Sequence, residues 1–294
     1  MRMHLLIALI HVVFVSASVP ATSFAQQTPT HKDLAYDDDD PAQKLDVYLA
    51  KSDEPTPAMI YIHGGGWRAG SKNRIPGWLN AAVKAGWVSV VSVEYRFTNV
   101  APHPAQVNDC MRAVQFVRQN AKKWNIDATR IGATGGSAGG HLSLWVALHD
   151  DIADKDSADP IRRNSSRISC AVSYAGPTDW SLLGKIKHGH PAYRQLLGYK
   201  PGTAADEMSK EKKTDVSPIS YASEDDPPVL LVHGDKDFIV PLQHAVDLNK
   251  RLNKIGSESE LLLVPGGGHG VTGVNAEVNK RSDAFIRKHL SARQ

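Results

Sequence analysis

One short stretch constrains this chain more than any other. Residues 133–142 read ATGGSAGGHL and set Ser137 among four glycines. A chain gives up side chains on this scale where backbones must pass closely or where φ must turn positive. The stretch is open to three readings: a phosphate cradle, a flexible tight turn, or a turn that presents the serine as a nucleophile. A Walker loop ends in Gly-Lys-Ser/Thr, but Gly140 is followed by His141 and no lysine is near. A dinucleotide fingerprint needs two glycines separated by one residue, and the glycines at 132, 135, 136, 139 and 140 contain no such pair. What remains is Gly-x-Ser-x-Gly, from Gly135 to Gly139, placed after a predicted strand and at the start of a predicted helix. That context puts a serine oxygen above a sheet, with small neighbours so that the strand and helix do not clash.

A serine needs a base to take its proton, and the base needs a carboxylate to orient it. On a strand–turn–helix nucleophile the partners follow in the order acid, then histidine. Downstream, VLLVHGDKDFIVP ends a strand with Asp235 and Asp237, and ELLLVPGGGHG ends the last strand with His269 in a glycine-rich loop. Asp237 is the chosen acid, because Asp235 follows its strand at once and suits a turn. His269 is chosen over His188, His190, His233 and His244, since it alone follows the last strand. Acyl transfer also needs donors for an oxyanion. Ala138, directly after the serine, can give one backbone N–H. Gly65 and Gly66 of YIHGGGWRAG can give the others, with Trp67 an alternative donor and His63 a brace for the loop. Trp67, Tyr95 and Trp180 are candidate walls of an acyl or sugar pocket.

The rest of the chain alternates apolar runs with helical patterns. Strands are predicted at 45–50, 58–63, 88–96, 130–135, 169–176, 228–234 and 260–266. The later runs are continuously apolar, as in parallel strands buried on both faces. Helical spacing marks 105–124, 241–252 and the segment NAEVNKRSDAFIRKHL near the end. The expected fold class is α/β, a mostly parallel sheet with helices on both faces and function at the carboxyl ends of its strands. Residues 150–167 read as a solvated loop and 178–222 as a small lid insertion. The main domain is expected to run from 43 to 294, after a lead-in at 26–42.

The first 25 residues differ in kind. Arg2 precedes an apolar stretch from Leu5 to Val15, and small residues stand at Ser23 and Ala25. This is the layout of a signal peptide cleaved near Ala25, which predicts a secreted or periplasmic protein. The stretch is short for a membrane span, which needs ~20 residues. Cys110 and Cys170 each sit inside an apolar run and are read as free buried thiols rather than a disulfide or a metal pair. The acidic run Asp37–Asp40 is read as solvated, because it lacks the spaced ligands of a calcium loop. With 34 basic against 31 acidic residues, nothing points to nucleic acid.

HGGGW at 63–67, GGSAGG at 135–140, HGDKDFIVP at 233–241 and GGGHG at 266–270 together resemble a known group. It is the α/β-hydrolases of the hormone-sensitive-lipase and bifunctional feruloyl/acetyl-xylan esterase (BD-FAE-like) type. QKLDVYLA at 43–50, VSVEYR at 91–96 and GPTD at 176–179 also look like the second branch. The resemblance covers about residues 43 to 290. It implies the α/β-hydrolase fold, Ser137 as nucleophile, Asp237 as orienting acid, His269 as general base, and Gly65, Gly66 and Ala138 as oxyanion hole. The expected activity is an exported serine carboxylesterase acting on short acyl or aromatic esters, such as acetyl or feruloyl groups on plant polysaccharide. The chemistry calls for no cofactor and no metal. Its expected partner is an ester substrate, small or polymeric. Two rivals share these residues: an arylformamidase-like amide hydrolase and a non-catalytic binding protein of the same fold. An export signal argues against the first, and a complete triad against the second.

Overall fold

Strands that carry apolar side chains on both faces have to be covered on both faces, and the sheet here is built that way. The computed structural model describes residues 26–185, 190–271 and 276–291; the stretch read as a signal peptide and His188 lie outside them. The strands are β1 (His31–Ala35), β2 (Lys44–Tyr48), β3 (Thr56–Ile62), β4 (Ser89–Val93), β5 (Ile126–Gly136), β6 (Cys170–Tyr174), β7 (Val229–Gly234) and β8 (Ser259–Val264). They form one sheet in the order β1-β2-β4-β3-β5-β6-β7-β8. From β4 to β8 all neighbours are parallel, while β2 runs antiparallel to both β1 and β4. Every residue of β4, β6 and β7 is buried.

Alternation along each strand divides the core into two layers. Ala58, Ile60 and Ile62 of β3 pack with α2 (Ala105–Asn120), α3 (Ala138–Leu148) and α6 (Gln243–Lys254). Met59 points the other way, toward α1 (Gly77–Lys84) and α7 (Ala276–Leu290). All 11 residues of α3 are buried, because this helix is held against β5 and β6 under its neighbours. Cys110 and Cys170 are buried free thiols in separate layers, and burial pushes the Cys170 thiol up to about 12.

Two segments differ from expectation. The lead-in contains β1, whose Leu34 and Ala35 pair with Leu45 and Lys44, so it belongs to the sheet. Most of β1 is exposed at the sheet edge, which is why no apolar pattern announces it. The described part of the insertion at 178–222 holds α4 (Ala192–Leu196), α5 (Lys210–Asp215) and two 3-10 turns. It is seated in the main core through Trp180, Tyr193, Leu196, Leu197 and Val216 rather than resting on the surface.

Candidate active site

A single residue separates β5 from α3, and it is Ser137. To turn the chain in one step it takes φ +56° and ψ −119°. This conformation costs a non-glycine residue about 1–3 kcal/mol. Its own N–H is fixed to the carbonyl of Tyr174 at 2.7 Å. The flanking glycines have a steric cause. A Cβ on Gly135 would lie 2.3 Å from the Ile62 oxygen, and one on Gly139 would lie 2.0 Å from it. Gly140 is equally confined, since a Cβ there would lie 2.7 Å from Ser173 Oγ and 3.0 Å from Gly176 Cα.

The structure brings Ser137, Asp237 and His269 together from the ends of three strands. His269 Nε2 lies 2.9 Å from Ser137 Oγ, and His269 Nδ1 lies 2.8 Å from Asp237 Oδ2. Asp237 has no exposed side-chain surface. Burial by itself would raise its pKa, but contacts from His233 and His269 and the amides of Val240 and Ile239 outweigh it. The carboxyl is held well below the usual range. An ionised Asp237 only accepts, so His269 Nδ1 carries the proton and Nε2 is free to accept the serine O–H. His233 approaches the same carboxylate oxygen: its Nε2–H donates to Val240 O at 2.8 Å and lies 3.4 Å from Asp237 Oδ2.

Asp235 has a different task. Its Oδ1 accepts from Gly266 N at 2.7 Å, while Lys236 N donates to Gly267 O at 2.9 Å. These bonds lace the loop after β7 to the loop after β8, and so carry His269 to Asp237.

The glycine loop after β3 meets Ser137 directly. A Cβ on Gly64 would lie 3.5 Å from Ser137 Cβ. Gly65 and Gly66 have φ +115° and +62°, and a Cβ on Gly65 would lie 2.0 Å from Ala69 O. Ala138 is the first residue of α3, where an N–H has no partner within the helix. Gly65 and Gly66 thus follow directly on the residue that meets Ser137, and Ala138 follows Ser137 itself. His63 braces the loop as expected: Nε2 lies 2.9 Å from Glu94 Oε1, and its ring stacks on Tyr95 at 4.5 Å.

The aromatic pocket walls are corrected. Trp67, Tyr95 and Trp180 are 2%, 0% and 0% exposed, so their rings belong to the core rather than to an open pocket. Tyr95 OH donates to His63 O at 3.1 Å, and Trp180 Nε1 donates to Tyr193 O at 3.1 Å. Trp67 Nε1 donates to His141 Nδ1 at 3.1 Å, and His141 Nε2 in turn donates to Val216 O at 2.8 Å. Through His141 the glycine loop, the helix behind the serine and the insertion are tied together. Burial lowers the His141 pKa to about 3, so it stays neutral. Nothing in residue spacing shows this bracket, because its three parts are far apart in sequence.

Of the remaining histidines, His244 accepts from Thr178 N and Asp179 N, and His190 accepts from Ala192 N. Carboxylate oxygens of Asp37, Asp38 and Asp39 lie within 4.8 Å of one another. Asp37 is already paired with Arg112 at 3.1 Å, and the other two are exposed. Among the described residues, no helix is long and apolar enough to cross a membrane.

The BD-FAE family model matches residues 45–252. The chain belongs to the BD-FAE family. It is similar to Esterase LipC of Mycobacterium tuberculosis, with 31% identity over 79% of this chain and 58% of that one. It spans about half the length of the curated relatives it matches. Among solved structures, a truncated carbohydrate esterase from gut microbiota superposes with a TM-score of 0.77 and 28% identity. It covers 91% of this chain and 98% of that one. An acetyl ester-xyloside bifunctional hydrolase from Caldicellulosiruptor lactoaceticus gives a TM-score of 0.71 at 28% identity, over 83% and 87% of the two chains. As in the BD-FAE family, the fold is that of an α/β-hydrolase.

Proposed function

We propose that this protein is an exported serine carboxylesterase that hydrolyses short acyl or aromatic esters through an acyl-serine, with acetyl or feruloyl groups on plant polysaccharide as its substrate class. The observation that carries the reading is the continuous Ser137–His269–Asp237 relay, at 2.9 Å and 2.8 Å, behind a strained serine. His269 takes the Ser137 proton as Oγ attacks the ester carbonyl. The oxyanion is received by the N–H groups of Gly65, Gly66 and Ala138. His269 then hands its proton to the leaving alcohol as the C–O bond breaks. Water, deprotonated by His269, attacks the acyl-serine, and the acid departs with Ser137 restored. The likeness to a carbohydrate esterase and to an acetyl ester-xyloside bifunctional hydrolase supports the polysaccharide side. The basic start, apolar stretch and small residues before Ala25 support export.

The test is a turnover screen of aryl acetate, aryl octanoate, methyl ferulate, acetylated xylan and formyl-kynurenine. The parent should prefer the acetyl or feruloyl esters. Ser137→Ala should lose at least about a thousandfold in kcat. Near-normal activity of that variant would overturn the triad, and preference for formyl-kynurenine would favour the amide-hydrolase rival.

A further inference from the structure

An oxyanion hole works only if its N–H groups point at the oxygen, and a backbone N–H points where its peptide plane sends it. In a trans peptide the carbonyl and the N–H that follows it point in opposite directions, so fixing one oxygen aims the next N–H. Gly65 and Gly66 are aimed by different means. The Gly65 oxygen accepts from Arg68 N at 3.3 Å and Ala69 N at 3.1 Å, so the loop's own turn aims the Gly66 N–H. The Gly64 oxygen is held by a side chain, with His63 Nδ1 at 2.7 Å. The Gly65 N–H is therefore aimed through the His63 ring.

That ring has little freedom of its own. It is 4% exposed, stacked on Tyr95 at 4.5 Å and edged by Phe97 at 5.9 Å. Gly70 closes over it: a Cβ there would lie 2.3 Å from His63 Nδ1 and 2.4 Å from the Gly64 oxygen. The other nitrogen, Nε2, lies 2.9 Å from Glu94 Oε1. Both nitrogens face acceptors, and a neutral imidazole has one N–H. The two bonds together need a second proton, and a buried ring keeps one beside a countercharge. The Glu94 carboxylate is that countercharge. Its second oxygen accepts from Lys72 N at 3.1 Å, so one carboxylate holds both ends of the loop from His63 to Lys72. Lys72 Nζ is turned elsewhere, to Asp46 Oδ1 at 2.7 Å and Asp33 Oδ1 at 2.5 Å.

We infer that Glu94 is a positioning residue of the oxyanion hole: through His63 it sets the Gly64–Gly65 peptide plane and so the direction of the Gly65 N–H. The inference rests on the serine-esterase reading of the proposed function. Glu94 acts at a distance from the ester, through a donor that matters most once the oxyanion has formed. Its loss therefore falls on the chemical step rather than on substrate binding.

The test uses the full chain, with an aryl acetate as substrate and an aryl trifluoromethyl ketone as inhibitor; the ketone's adduct with Ser137 carries an oxyanion. Glu94→Gln keeps the size of the side chain but not its charge. It should lower kcat roughly tenfold to a hundredfold, with KM within about twofold of the parent. The inhibition constant of the ketone should rise by a similar factor. His63→Asn should show the same split on its own, and Glu94→Gln in that background should cost nothing further. Ser92→Ala is the control: it removes the bond from Ser92 Oγ to Lys72 O at 2.8 Å, at the same end of the loop, and should leave kcat unchanged. Parental kcat or an unchanged ketone constant in Glu94→Gln overturns the inference. A loss in Ser92→Ala as large as that in Glu94→Gln overturns it too, since any loosening of the loop would then suffice. So does a full further loss in the His63→Asn background, which would mean that Glu94 does not act through the ring. If the parent turns over no ester, the esterase reading falls and takes the inference with it. If the parent is an esterase that Ser137→Ala silences, every other result bears on Glu94 alone.

Discussion

Two aspartates two residues apart follow β7, and their surroundings assign them opposite work. Asp237 is enclosed and bonded to His269, while Asp235 is exposed and caps Gly266. Asp237→Asn should lower kcat by about 10⁴-fold with the fold intact, because an amide favours the wrong histidine tautomer. Asp235→Asn should stay within about tenfold, since an amide oxygen still accepts from Gly266 N. Steady-state kinetics beside circular dichroism of both variants checks this, and a larger loss in Asp235→Asn would reverse the assignment. The residues brought together here were legible in sequence because the chemistry imposes an order: serine, acid, histidine, each just past a strand. Trp67, Tyr95 and Trp180 were misread because a ring near a site looks the same in sequence whether it lines a cavity or fills the core. His141 carried no signal at all.

At the level of elements, the buried parallel strands declared themselves through unbroken apolar runs, and α2 through its stripe. β1 did not, since an edge strand with exposed Lys32 and Asp33 has no apolar face to display. The insertion was legible as an interruption, but its anchoring was not: Trp180, Leu196 and Val216 are scattered among charged residues. The link among loop, helix and insertion gives a stability prediction. Trp67→Phe keeps a ring in place but leaves His141 Nδ1 buried without a donor, at a cost of about 1–3 kcal/mol. For a chain of this size that corresponds to a fall in melting temperature of several degrees, roughly 2–4 °C per kcal/mol. Thermal unfolding measures it; an unchanged midpoint would mean that the bond contributes nothing.

For the molecule as a whole, buried neutral histidines set the response to acid. His141 and His244 are each lowered from the ordinary 6.5 to about 3, chiefly by burial. His141 Nδ1 faces the Trp67 N–H and His244 Nδ1 faces two backbone N–H groups, so a proton there would oppose a donor. Below pH 6.5 the unfolded chain takes up protons that the folded chain refuses. Stability is therefore full above that value and falls as pH drops toward 3, by up to about 1.4 kcal/mol per unit for each histidine. Urea unfolding at a series of pH values should show this slope, and a flat profile between pH 7 and 4.5 would refute it. The relay also has a consequence in time. Ser137 and His269 are 132 residues apart in the chain and meet only when the strand at one edge of the sheet has docked. An intermediate that lacks that strand can have a formed serine turn and still be inert, so recovery of turnover during refolding marks the arrival of β8 rather than collapse of the core.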